Sequence, residues 1–286
     1  MPSLVAICVN YYNEQQTIAF ARRLVELHSP TQCQVIVASN NVTGDGNKTL
    51  TEAFSDTPQV QIVHWGENLG YFGAAARALR EYLLSHELPD WVSVSNTDLL
   101  LEDGPFVQRL MEHSNTPGIG VVAPSVISTA TGIEQNPFMM SRPPAFRMHL
   151  LKWVFKTRPT WLLWGQASRL KYVIRRCLEA VKAAGNNPTA QQACRPIYAA
   201  HGSFIVFRKE YFDGGGCLDH KPFLFGEEIM VAETARRLQL TTLYDPFIVL
   251  RHIEHSTVGE SARVREYQAE SARHCADQFF PFREKG

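Results

Sequence analysis

The sequence predicts an α/β fold built on a mostly parallel central sheet flanked by helices. Short apolar runs rich in branched residues recur at 4–9, 34–39, 60–65 and 91–96. Continuous runs of this kind belong to strands covered on both faces. Amphipathic helical patterns lie between them at 14–28 and 70–86, and such alternation builds βαβ units. The runs also end in polar turns, where open α/β sheets place their ligands.

"LVAICV" (4–9) is the first buried strand. In "EQQTIAFARRLVELH" (14–28), Ile18, Ala21, Leu24, Val25 and Leu27 fall largely on one helical face. "QVIVAS" (34–39) is a second strand that runs into the loop "NNVTGDGN". "VQIVHW" (60–65) is a third, "GYFGAAARALREYLLSH" (70–86) an Ala-rich helix, and "WVSVSN" a fourth strand. After "GVVAPSVI" (120–127) the alternation breaks. It resumes with "IYAAHGSFIVFRKEYFDGGGCLD" (197–219), read as strand, short helix and Gly-rich turn. "GEEIMVAETARRLQL" (226–240) is a helix whose acidic start suits the helix dipole. "TTLYDPFIVLRHIEHS" (241–256) closes with a strand, and 262–279 reads as a peripheral helix. The pattern divides the chain at 1–133, 134–196, 197–258 and 259–286, with no internal repeat.

Charge is distributed unevenly. The chain balances 28 basic against 28 acidic residues, so nothing in its net charge points to nucleic acid or another polyanion. Yet Gln135–Leu178 holds nine Arg or Lys and no acid, which leaves the remainder acidic at 19 against 28. This basic helical insertion also carries Trp153, Trp161 and Trp164, within "LLKWVF" and "TWLLWG". A solvated basic face is the plain reading. The apolar anchors favour contact with an anionic membrane surface or an acceptor phosphate.

The six cysteines are scattered without a CxxC pair, and Cys8 and Cys33 sit within strand-like runs. That pattern predicts reduced thiols in a cytoplasmic protein, with neither a disulfide framework nor a zinc site. "MPSLVAICVNYYNE" is too short and polar for a signal peptide. No run of eighteen apolar residues predicts a transmembrane helix.

Four strand-end loops are expected to form one site. The first supplies Asn10 and Tyr11, and the second Ser39 and Asn40. The third, "GENLGYFGAAARAL", supplies Asn68, Gly70 and Gly73, glycines that let backbone approach an anion at a helix start. The fourth is Asn96-Thr97-Asp98, where a buried strand stops on polar groups. As turn residues these are ordinary; together they mark a nucleotide-binding half with a carboxylate placed to hold a divalent cation.

These motifs, followed in order by "HGSFIVFRKEYFDGGGCLD", "FLFGEEIMVAETARR" and "LYDPFIVLRHIEHS", resemble the family 2 glycosyltransferases of GT-A fold. The likeness is greatest to the rhamnosyltransferase-like branch of bacterial surface polysaccharide synthesis, including O-antigen. It covers 4–133 and 197–258, leaving the insertion outside. The resemblance implies an inverting transfer from a nucleotide-diphosphate sugar, a dTDP- or UDP-sugar above others, to a glycan or lipid-linked glycan.

It further implies that Asn96-Thr97-Asp98 is the DXD-type element, with Asp98 ligating Mn2+ or Mg2+. A hard carboxylate suits such an ion, which neutralises a leaving diphosphate. In the acidic pair, Glu228 would be the general base and Glu227 its neighbour. His252 would be a second metal or diphosphate contact, while His201 and Gly202 would line the acceptor side. "HIEH" is not the helical HExxH zinc motif. Two positions depart from the family pattern. Ser39, with Asn40 beside it, stands where an Asp usually contacts the nucleobase, and Glu228 replaces the usual Asp base. A sugar-nucleotide pyrophosphorylase is a rival reading, but the first loop lacks its Gly-rich basic signature. A catalytically inactive binding subunit is the rival from outside enzymology.

Overall fold

The structure, a computed structural model, describes residues 3–29, 31–104, 106–167, 193–253 and 262–281. Arg169, Lys171, Arg175, Arg176 and His255 lie outside the described residues. The first four strands are β1 (Leu4–Asn10), β2 (Cys33–Ser39), β3 (Val60–His64) and β4 (Trp91–Ser95). They are followed by β5 (Leu99–Leu101), β6 (Ile119–Ser128), β7 (Arg195–Ile197), β8 (Phe204–Arg208) and β9 (Thr241–His252). All join one sheet ordered β3-β2-β1-β4-β8-β6-β9-β5, with β7 paired to β9. The β3-β2-β1-β4 half is parallel. Beyond it β8 runs antiparallel to both neighbours, while β6 and β9 are parallel to each other.

Period-two alternation sorts the strand side chains between two cores. Leu4, Ala6 and Cys8 of β1 pack with Ile18, Phe20 and Leu24 of α1 (Glu14–Leu27). Val5, Ile7 and Val9 face the other way, toward Phe72 and Leu79 of α3 (Tyr71–Leu83) and Met230 of the Glu227–Arg237 helix. Both faces are covered, which explains the unbroken hydrophobicity of β1.

Three elements go beyond the sequence expectation. The segment read as a loop through residue 47 becomes helical at Gly44, giving α2 (Gly44–Ala53); only Asn47 and Leu50 of α2 are buried, too few to print a helical period. Strand β5 has three residues. Helix α4 (Phe106–His113) buries Phe106, Val107 and Leu110 within a span too short to stand out.

The insertion is not a detached basic face over the described residues. Helix α5 (Ala145–Val154) docks through Met148 into a third core with Ile229, Cys275, Ala276 and Phe280. Arg142 pairs with the buried Glu233 at 2.7 Å and Lys152 with Asp277 at 2.6 Å. The Trp161 indole donates to Gln268 at 2.6 Å. The C-terminal helix Ala262–Phe279 therefore joins a packed core, correcting its reading as peripheral: Ser271, Ala272, Cys275 and Ala276 are buried.

At the start of α3, Gly70 has φ 75° and ψ −177°, a region essentially reserved for glycine. A Cβ there would sit 2.1 Å from the Phe223 carbonyl oxygen, so the backbone crossing requires glycine twice over. Gly70→Ala should destabilise the protein by about 2 kcal/mol or more, from strain and overpacking together. Chemical denaturation of the variant beside the wild type measures it; an unchanged midpoint would refute the crossing.

Candidate active site

Strand register brings the polar loops to one edge. β1 and β2 end level, Asn10 opposite Ser39, and Cys8 pairs with Ser95 of β4. Because β8 is antiparallel to β4, with Ser95 opposite Phe204, its entry residues His201, Gly202 and Ser203 arrive where β4 leaves. The Asn96 N–H donates to the Ser203 carbonyl at 2.9 Å. β9 is antiparallel to β5, placing His252 opposite Leu99, and the Ile253 N–H donates to the Asp98 carbonyl at 2.9 Å. Two direction changes thus bring residues more than a hundred positions apart together.

A cleft of about 830 Å³ opens at this edge. Tyr11, Asn40, Asn68, Gly70, Asn96 and Asp98 line it. Asn40 braces the rim: its amide donates to the Gly70 carbonyl at 2.9 Å and accepts from the Leu69 N–H at 3.0 Å. Asn68 accepts from the Gly70 N–H at 2.9 Å.

Asn10 and Ser39 stand elsewhere. Both are fully buried. The Asn10 amide donates to Ser39 Oγ at 3.2 Å and accepts from Thr17 Oγ1 at 2.8 Å, so its capacity is spent inside the protein. They form the floor that fixes the loops, a correction to their reading as direct contacts. Gly73 lies in the first turn of α3, where a Cβ would make an ordinary 3.4 Å contact with Leu69.

Asp98 and His252 meet, Oδ2 to Nε2 at 3.3 Å. His252 Nδ1 is held by Gln135 Oε1 at 2.9 Å. The buried Asp98 Oδ1 has no hydrogen-bond partner. An orphaned carboxylate oxygen is costly unless something cationic or donating meets it. Together with the imidazole it forms a hard O/N donor set that fits a divalent cation. His201 stacks edge-on to His252 with ring centroids 5.9 Å apart. Burial, then His252, pushes its pKa down to about 4, so it is neutral at physiological pH. Its backbone N–H donates to the Asn136 side chain at 2.7 Å. Gln135 and Asn136, at the head of the insertion, thus orient both histidines.

Gly202 connects this group to the acidic pair. The Tyr71 hydroxyl donates to its carbonyl at 2.7 Å. A Cβ on Gly202 would stand 2.7 Å from Glu228 Oε1. Only a residue without a side chain lets the carboxylate lie there. Burial raises the Glu228 pKa, while backbone hydrogen bonds at Glu228, Gly202 and Gly226 support its anion. Burial and then the charge of Glu228 push Glu227 up to about 8, although it accepts the Phe225 N–H at 3.0 Å. Both carboxyls are therefore held above the ordinary carboxylate range, and Glu227 keeps its proton at neutral pH.

Residues 6–167, more than half of the chain, match the model of "Glycosyl transferase family 2". The chain belongs to that family. The match runs past residue 133 into the segment expected to lie outside the resemblance. An N-acetylglucosaminyl-diphospho-decaprenol L-rhamnosyltransferase of Mycobacterium tuberculosis is 24% identical over 235 residues, 80% of this chain and 69% of the relative. Among solved structures, the mannosyltransferase PcManGT from Pyrobaculum calidifontis, in complex with GDP-Man and Mn2+, superposes with a TM-score of 0.54 at 14% identity. GalNAc-T7 with UDP, GalNAc and Mn2+ gives 0.56 at 11%. These cover 93% and 95% of this chain, which spans 61% and 48% of theirs. These likenesses show the GT-A fold.

For this glycosyl transferase family 2 chain, sequence reading missed one wall of the cleft. Phe223, Arg263, Val264 and Tyr267 line it, and the Phe223 and Tyr267 rings lie 4.9 Å apart. The spacing of Arg263 and Tyr267, four residues apart on one helix face, was the available signal. Arg263 is the one Lys or Arg among the described lining residues. A second group, His113, Cys194 and Asp245, brings potential ligand atoms within 4.8 Å of one another but lines no part of the cleft. There Arg109 already donates to Asp245 at 2.8 Å and to Cys194 Sγ at 3.3 Å, occupying the cation's role.

A carboxyl whose folded pKa is raised stabilises the fold below its unfolded pKa, and that contribution is lost as pH rises through the folded value. For Glu227 the loss should begin above the ordinary carboxylate range and be complete once pH passes its folded value, about 8. Melting temperature should fall as pH rises from mildly acidic toward that value and level off beyond it, and Glu227→Gln should flatten the fall. Parallel pH–Tm curves for the two proteins would contradict the assignment.

Proposed function

We propose that this chain is an inverting, metal-dependent glycosyltransferase that moves a sugar from a nucleotide-diphosphate donor to a hydroxyl of a glycan or lipid-linked glycan. The observation that carries the reading is the group around Gly202: a half-buried, N–H-supported Glu228 beside a cleft lined by Asp98, with His252 against the Asp98 carboxylate. The mycobacterial relative, named for rhamnosyl transfer to a sugar-diphospho-decaprenol, supports a deoxyhexosyl donor such as a dTDP- or UDP-sugar and a lipid-linked acceptor. We place the reaction in the cytoplasm at the inner face of the membrane, where such an acceptor presents its sugar.

In this mechanism the floor of Asn10 and Ser39 fixes the rim, and Tyr11, Asn40 and Asn68 orient the nucleotide. Glu228 accepts the proton of the acceptor hydroxyl as its oxygen attacks the anomeric carbon. Holding the reactants in line lowers the entropic barrier. A single displacement with one base inverts the anomeric centre. Asp98 and His252 would hold Mn2+ or Mg2+, which supplies charge neutralisation for the leaving diphosphate. Arg263, on the opposite wall, supplies the chain's own positive charge.

Asp98→Asn should lower metal affinity steeply and abolish transfer while the melting temperature stays close to wild type. Donor turnover across UDP-, dTDP- and GDP-sugars, titrated with Mn2+, measures it. Retention of full activity with the same metal dependence would remove Asp98 from the site.

Glu228→Gln should leave donor affinity nearly intact and reduce kcat by about a hundredfold or more. Wild-type turnover should fall on acidification, with a limb above the ordinary carboxylate range, because only the ionised base accepts a proton. If Glu227→Gln is the more damaging change, the two roles are exchanged.

A further inference from the structure

Phe146, Leu150 and Trp153 follow one another at i, i+4 and i+7 along α5, opposite the buried Met148. They are 67%, 50% and 68% exposed, a large apolar stripe for water to cover. Leu162 and Leu163 extend the exposed apolar surface along the chain. The stripe borders a groove of about 620 Å³ between α5 and the C-terminal helix. Its other described lining is His149, Lys152, Lys156, Ala269 and Arg273, with no carboxylate. The Lys156 ammonium lies 5.1 Å from the centre of the Trp153 ring, so charge and aromatic surface face the same solvent.

We propose that this face docks on an anionic phospholipid bilayer, with Phe146, Leu150 and Trp153 entering the headgroup–acyl boundary and Lys156 and Arg273 meeting the phosphates. The inference deepens the membrane-side placement given above and names the surface responsible. Charge decides between occupants. A second copy would set one basic groove against another. The chain's own residues 168–192 carry five Arg or Lys and one acid in sequence, so they bring the wrong sign. A lipid surface supplies both missing properties, apolar volume and negative charge. Lys152 contributes less, being paired with Asp277.

Sedimentation of the full chain with vesicles tests this without donor or acceptor. Binding to phosphatidylglycerol–phosphatidylcholine vesicles should exceed binding to pure phosphatidylcholine by about tenfold or more, and weaken with salt. Lys156→Glu with Arg273→Glu should lower the anionic partition coefficient by about tenfold or more. Trp153→Ala with Leu150→Ser should remove the part that survives high salt. Unchanged melting temperatures establish that the exposed substitutions leave the fold intact. Equal binding to both vesicle types, binding to neither, or binding indifferent to all four substitutions would overturn the proposal. So would a dimer in analytical ultracentrifugation that Trp153→Ala disperses in a protein without vesicle affinity. Donor turnover in free solution is read separately. Its absence alongside intact vesicle binding would defeat the glycosyl-transfer reading and leave this surface standing.

Discussion

Negative charge gathered in low dielectric constrains everything at the carboxyl edge of the sheet. Burial, and then the charges of Glu227, Glu228 and Asp98, raise the pKa of the Tyr71 hydroxyl. Carboxylates gathered there need partners or protons to offset their desolvation. Each has a different answer. Glu227 keeps its proton, Glu228 is met by backbone N–H groups, and Asp98 has His252 on one oxygen and nothing on the other. The group is thus poised rather than relaxed, with one carboxylate oxygen left without a partner.

Sheet topology makes the gathering possible. An all-parallel sheet would bring only strand exits to this edge. The antiparallel β8 brings an entry, so Gly202 reaches Glu228, and the pairing of β5 with β9 returns His252 to Asp98. The alternating cores keep these strands fixed from both faces, and the orienting polar contacts from Gln135 and Asn136 arrive from outside the sheet. Position here follows from register more than from side-chain flexibility.

The parallel half was legible because its strands are continuous apolar runs between amphipathic helices, and the motif order pointed to Asp98, His252 and Glu228. The floor residues were not legible: sequence shows that Asn10 and Ser39 end strands, but not that each consumes the other's hydrogen-bonding capacity. Helix α2 escaped notice because glycines and polar residues dominate it, and tertiary packing at Leu50 holds it. The basic insertion was legible as charge but not as partnership. Arg142 and Lys152 spend theirs on Glu233 and Asp277, and of the two described tryptophans with the clearest surroundings, Trp153 faces solvent while Trp161 is engaged by Gln268.

The C-terminal helix has a consequence for how the chain tolerates alteration. Over 18 residues, about 27 Å, it walls the cleft at Arg263 and Tyr267, then fastens the turn before the acidic pair. Ser271 Oγ donates to the Phe225 carbonyl at 2.7 Å, and the Gly226 backbone passes so close that a Cβ would stand 2.4 Å from Ser271 Oγ. Phe279 and Phe280 then offer their carbonyls to Arg142 and His149 of the insertion. Shortening the chain from this end is therefore not the trimming of a tail. Each turn removed would unfasten a different component: first the clasp on the insertion, then the latch on the Glu227 turn, and last the wall that gives the cleft its depth.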